Sequence, residues 1–323
     1  MAYIPYNKPY KKPSDLVSDL KSKNLSFHDE NKAEKLLSNI SYYHFKIYLH
    51  PLIDKNSQNI KNYKDGSYFE TGVELYRFDE ELRALMFKVI ARLEVKFRSH
   101  LDHKMSIISN NSFWYLDNNW FFNSNNDPRK INQVRDKISI DFNRESELYA
   151  RNFRSKYYNE IHDNYKSLPP FFIASEIISL GQLYKIYDSI DFSKVTKLPS
   201  PSNKALHDLS NDFGASKFKT LVNWIMCIRN MRNRCAHHSR LWNAKLAAVH
   251  DINSILDKLP IHNNRPYGTI AVIAHMINKL EIDFNLFNEL KELFDKYSSA
   301  KIHINDAGFP SDWDADPFWE KFQ

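Results

Sequence analysis

The sequence predicts an all-α fold, and three observations carry that prediction. Apolar residues recur at three- and four-residue spacing through most of the chain, the period of one helical face. Glycine is scarce, six in 323 residues, which leaves few of the tight turns that β-hairpins need. The one segment with a strand-like start, "TIAVIAHMINKL", continues with Ala271, Ala274 and an amphipathic run to Leu280, which reads as helix.

Residues 1–13, rich in Pro, Tyr and Lys, read as an extended arm. "SDLVSDLKSKN" reads as a short helix with Ser14 at its N-cap. In "SFHDENKAEKLLSNISYYHFKIYLHPLI", Leu36, Leu37 and Ile40 sit at helical spacing, and Tyr43, Ile47 and Tyr48 continue the apolar face of one or two helices. The strongest helical stripe runs from Val73 to Met105, carried by Leu82, Leu85, Met86, Val89, Leu93 and Phe97. "NNSFWYLDNNWFFNSNNDPRK" mixes Asn, Asp and Pro with aromatics and reads mostly as loop. Residues 129–166 read as charged helix, and Pro169-Pro170 breaks the chain. "FFIASEIISLGQLYKIYDSI" predicts an apolar helix split near Gly181, and "SKVTKLPSPSNK" a linker-like loop. Phe218, Leu221, Val222, Ile225 and Ile228 form one helical face. "NLFNELKELFDKY" reads as the last helix, before an aromatic, acidic tail over 305–323. No internal repeat is visible, and the chain reads as one intertwined helical unit over 1–323.

Composition excludes several functions. There is no G-x-G-x-x-G, no G-x-x-x-x-G-K-[ST] and no G-x-S-x-G, so a Rossmann site, a P-loop and a hydrolase elbow are not expected. No apolar run is long enough for a transmembrane helix. The N-terminus lacks the apolar stretch of a secretory signal. The two cysteines, Cys227 and Cys235, form no C-x-x-C pair; a reduced, cytoplasmic protein without a disulfide, cofactor or bound metal is the expectation. His100 and His103 lie three apart on a helix, but nothing nearby supplies a third metal ligand.

Charge is unevenly placed. The chain carries +6 in all. Between Asp212 and Asp251 there is no acid, while Lys217, Lys219, Arg229, Arg232, Arg234, Arg240 and Lys245 give that interval +7. A basic segment in an otherwise balanced chain suggests a polyanion site. Within it lies "RNMRNRCAHHSRLWN", residues 229–243. An Arg and a His with four residues between them, Arg232 and His237, suit RNA cleavage. Imidazole can take the proton from a ribose 2′-OH or give one to the leaving 5′-oxygen. Guanidinium can hold the phosphate and neutralise charge that builds on it. Five residues along a helix is about 140° around its axis, so the two side chains diverge. Either the long Arg232 side chain bends towards the imidazole, or two copies of the chain share a site.

"WIMCIRNMRNRCAHHSRLWN" resembles the signature of AbiD/AbiF-type abortive-infection (Abi) proteins of the HEPN superfamily. Further blocks are similar in order: "ISYYHFKIYLHPL", "LYRFDEELRALMFKVIARLEVKFRSHL", "LPPFFIASEIISLGQLYKIYDSI" and "GFPSDW". The resemblance implies a HEPN-type helical bundle with additional N- and C-terminal helices. It implies a metal-independent endoribonuclease toxin in phage defence, working as a homodimer and associated in some relatives with a small non-coding RNA. Carried over residue by residue, it makes Arg232 and His237 the catalytic pair and Asn233 the polar residue that orients His237 or a phosphate. His238, Arg240 and Asn243 match the signature in supporting roles, while Trp242 reads as packing against the core. Arg229, Arg234, Lys217 and Lys219 read as phosphate contacts in solvent. The alternative is an RNA-binding module without catalysis, holding a regulatory or guide RNA on the same basic segment. The rings from Phe113 to Phe122 read as anchors for a long loop rather than a base-stacking platform.

Overall fold

A computed structural model of the chain describes residues 3–7, 9–56, 62–121 and 128–322. It is all-α: no β-strand occurs among the described residues, only the isolated bridges Ser26/Tyr68 and Ile53/Tyr63. No helix among them is long and apolar enough to cross a membrane.

Helix α1 (Pro13–Lys21) begins two residues earlier than an N-cap at Ser14 would place it. Proline's fixed φ suits the first helical position, so Lys12 becomes the cap, its backbone N–H donating to the Asp15 carboxylate at 3.1 Å. Ser14 therefore lies inside the first turn. In α2 (Glu30–Asn39) the Asp29 side chain accepts from the Lys32 N–H at 3.0 Å. The apolar face does not run on as one helix. A single turn at Tyr42–Phe45 leads into a 3-10 segment, Lys46–Leu52, which buries Tyr48 and leaves Tyr43 exposed. Helix α3 (Phe69–Ser109) extends the predicted stripe by four residues at each end.

The predicted 129–166 helix is two helices, α4 (Pro128–Arg144) and α5 (Leu148–Lys156), followed by irregular chain. Helix α6 (Phe171–Ile177) starts directly after Pro169-Pro170. The split before α7 (Leu180–Ser189) falls at Ile178–Ser179, where Ser179 and Gln182 form a reciprocal capping box. The expected linker after it contains a helical turn, Phe192–Thr196, capped by Asp191. Then come α8 (Ala205–Asp212), α9 (Phe218–Ala236), α10 (Pro266–Lys279) and α11 (Leu286–Lys296). Two further short helices follow α11, at Ser298–Ile302 and Pro317–Glu320.

The chain divides into two compact units. One comprises Met1–Leu82 and Glu289–Ile304. In it Val17, Leu20, Ala33 and Leu37 are buried as α1 packs on α2, and Tyr48 donates to Asp79 at 2.6 Å in the core. The other comprises Arg83–Asn288 and Asn305–Gln323. Its centre is α9, which packs against α7, α8 and α10. The aromatic loop belongs here, and its rings do anchor: Trp114 and Tyr115 are fully buried, and Tyr115 donates to the Pro169 carbonyl at 2.7 Å. The buried Arg135 guanidinium donates to the Tyr115 carbonyl at 3.0 Å, and burial pushes its pKa down to about 10. Phe122 lies outside the described residues. In the tail, Trp313, Phe318 and Trp319 are buried, and Trp319 donates to the Tyr267 hydroxyl of α10 at 3.2 Å.

Candidate active site

Helix α9 is built to be covered. Phe218, Leu221, Trp224, Ile225, Cys227, Ile228, Met231 and Cys235 are all buried. Burial explains much of the missing acid: a carboxylate on this face would lose its hydration without a partner. It also pushes the Cys227 thiol up to about 12, so this cysteine is an inert apolar filler. The +7 interval is consequently not one patch. Lys217 and Lys219 are exposed at the start of the helix, and its 19 residues span roughly 28 Å, so they stand a helix length from the Arg-His motif.

The helix ends without glycine. Ala236 is its last residue, His237 caps it, and His238 takes a left-handed conformation at φ +51°. The His238 N–H donates to the Cys235 carbonyl at 3.2 Å and the Ser239 N–H to the Arg234 carbonyl at 2.9 Å. Together these form a Schellman motif, with histidine where glycine is usual. The cap leaves His237 and His238 exposed, and the His237 imidazole makes no hydrogen bond among the described residues.

From His237 the chain turns back along the helix. Leu241, Trp242 and Ala244 are fully buried, which fixes the segment to the core. Arg234 clamps it from the helix side, donating to the Arg240 carbonyl at 3.1 Å and the Lys245 carbonyl at 3.3 Å. Between helix and returning chain lies an open cleft of about 410 Å³, lined by Asn230, Asn233, Arg234, His237, Ser239, Lys245 and the 246–247 segment. Asn233 and His237 are one turn apart, about 40° around the axis, and both reach it.

Arg232 does not line this cleft. Its Nε lies 3.9 Å from Glu94 Oε2, and its guanidinium stands over the Phe87 ring at 5.6 Å. Glu94 and Phe87 both come from α3. Within one chain, then, the helical phase separates Arg232 from His237, as their spacing predicts. Sequence reasoning missed Glu94; the available signal was the Glu94/Arg98 pair, four apart at the edge of an apolar stripe.

The other expected contacts differ in their surroundings. Arg229 is not a cation standing in solvent: it stacks on Tyr184 at 4.5 Å and donates to Asn230 at 3.3 Å. Arg234 is the clamp just described. Arg240 and Asn243 are partly buried, and the Asn243 carbonyl accepts from Arg265, so this asparagine belongs to the returning segment rather than to the cleft. Trp242 packs as expected. His100 faces Asp212 at 3.5 Å. Among the described residues no three His, Cys, Asp or Glu side chains are grouped to hold a metal ion.

A family model described as "Abi-like protein" matches residues 35–243, more than half of the chain, and its match ends at the asparagine that closes the Arg-His block. No curated protein and no solved structure gives a match.

Proposed function

The chain belongs to the Abi-like family, and from that premise we propose that it is a HEPN-type endoribonuclease toxin acting in abortive-infection phage defence. The observation that carries the reading is the end of α9. A hydrogen-bond-free imidazole, His237, and Asn233 one turn away meet in an open cleft with Lys245, and no carboxylate lines it. Such a cleft favours an anionic backbone and leaves an imidazole ready to move a proton.

In the proposed reaction His237 takes the proton from a ribose 2′-OH, whose oxygen attacks the adjacent phosphorus. The P–O5′ bond breaks as the leaving 5′-oxygen takes a proton, which the imidazolium returns directly or through water, so the products are a 2′,3′-cyclic phosphate and a 5′-hydroxyl. Attack from within the ribose needs no second nucleophile to be brought in. Asn233 orients the imidazole or a phosphate oxygen. Arg232 stabilises the phosphorane charge with its planar fork. Because Arg232 lies outside the cleft of its own chain, the reading includes a two-fold dimer in which each His237 works with the partner's arginine.

The test is RNA sequencing of cells that express the wild type or His237→Ala, with 5′-hydroxyl ends captured. New 5′-hydroxyl ends in the wild type alone support the reading. RNA that co-purifies equally with both proteins, without new ends, favours a binding module that holds RNA and does not cut it.

A further inference from the structure

We infer that Glu94 is a positioning residue for Arg232, presenting its guanidinium to a phosphate; this rests on the reading in which Arg232 meets the scissile group. One carboxylate stands between two arginines, and its side chain is only 11% exposed. Glu94 Oε1 accepts from Arg98, four residues on in α3. Arg98 is itself held by the Ser175 carbonyl and, at 2.7 Å, by the Ile178 carbonyl, at the break between α6 and α7. Glu94 therefore cannot swing freely, and its second oxygen, Oε2, faces Arg232 Nε at 3.9 Å.

Two consequences follow for Arg232. Its Nε lies 3.9 Å from the carboxylate, and its guanidinium carbon stands over the Phe87 ring at 5.6 Å. Its two terminal nitrogens have no hydrogen-bond partner among the described residues. That is the pair a phosphate takes in a bidentate contact. Arg98 already neutralises Glu94, so the three side chains together carry +1 and Arg232 keeps its attraction for an anion. A lone arginine on an exposed helix would sample many rotamers; one guided by a fixed carboxylate and a ring is pre-organised.

Glu94→Gln tests this, because it keeps the shape and removes the charge. Purified full-length wild type, Glu94→Gln, Arg232→Ala and the double variant are compared on a labelled RNA, with kcat and KM separated and the urea midpoint measured for each. Glu94→Gln is expected to lower kcat roughly tenfold, the scale of a misaligned catalytic group, and to add no further loss in the Arg232→Ala background. An unchanged kcat, or the full loss repeated in that background, overturns the inference, since Glu94 would then be idle or act through Arg98 on the fold. A second readout needs no activity: the hydrogen-exchange rate of the Arg232 Nε proton by NMR. It is expected to be severalfold slower in the wild type than in Glu94→Gln, and equal rates overturn the positioning role. If the wild type cuts no RNA, the nuclease reading falls, and this exchange rate still decides whether Glu94 holds Arg232.

Discussion

Arg234→Ala separates a cation that binds RNA from one that builds the cleft. Arg234 sits in the last turn of α9 and donates to two backbone carbonyls, Arg240 at 3.1 Å and Lys245 at 3.3 Å. A hydrogen bond from a charged donor contributes about 1.5–3 kcal/mol when well buried. Here the Lys245 bond is long and exposed, so the pair together is worth about 1–2 kcal/mol. With an m-value of about 3 kcal/mol/M in urea for a chain of this size, the midpoint should fall by about 0.3–0.7 M with m unchanged. Both carbonyls lie in the segment that forms the far side of the cleft, so RNA cleavage per folded molecule should fall as well. Arg234→Lys keeps the charge, loses the planar fork and should lose most of the same stability. Salt titration of RNA binding is the companion assay. A lost phosphate contact to a single strand flattens the log K against log salt slope by about 0.7, whereas loss of the clamp leaves it unchanged. An unchanged urea midpoint together with a flatter slope would refute the structural assignment.

Other perturbations bear on the same unit. Gly214 has φ +79°, and a Cβ there would fall 2.3 Å from His275 Nε2; Gly214→Ala should cost about 2–4 kcal/mol in urea unfolding, through the left-handed backbone and the disturbed His275–Gly214 hydrogen bond. Burial lowers the His275 pKa, against an opposing pull from the Gly214 carbonyl. The unfolded chain therefore binds the extra proton first, and stability should decline as pH falls below about 6.5, until the folded imidazole titrates too. His275→Phe should flatten that decline; an unchanged decline would assign it to other groups. Trp242 is fully buried, so Trp242→Ala should destabilise by about 3–5 kcal/mol, and a loss under 1 kcal/mol would contradict its packing role.

The helical order of the chain was legible because apolar spacing reports burial directly. The stripe in α3 and the face from Phe218 to Ile228 both appear where their periodicity places them. Helix ends were less legible. Proline moved the first cap from Ser14 to Lys12, and α9 stops on a left-handed His238 with no glycine to announce it. The divergence of Arg232 and His237 follows from helical phase alone. Glu94 does not, because nothing local to the motif signals a carboxylate contributed by α3. The acid-free interval was visible as charge but misleading as a surface. Its arginines are largely engaged with Tyr184, Glu94 and backbone carbonyls, and its first two lysines stand a helix length away.

The chemistry of the cut ends tests the central claim most directly. Purified protein should be mixed with a defined RNA in EDTA, beside a copy carrying a single 2′-deoxyribose at the preferred cut site, and the fragments weighed by mass spectrometry. The account predicts 2′,3′-cyclic phosphate and 5′-hydroxyl ends from the RNA, an intact bond at the deoxy position, and at least about 10²-fold slower cutting by His237→Ala. Cleavage at the deoxy position, ends bearing a 5′-phosphate, or full activity in His237→Ala would contradict it.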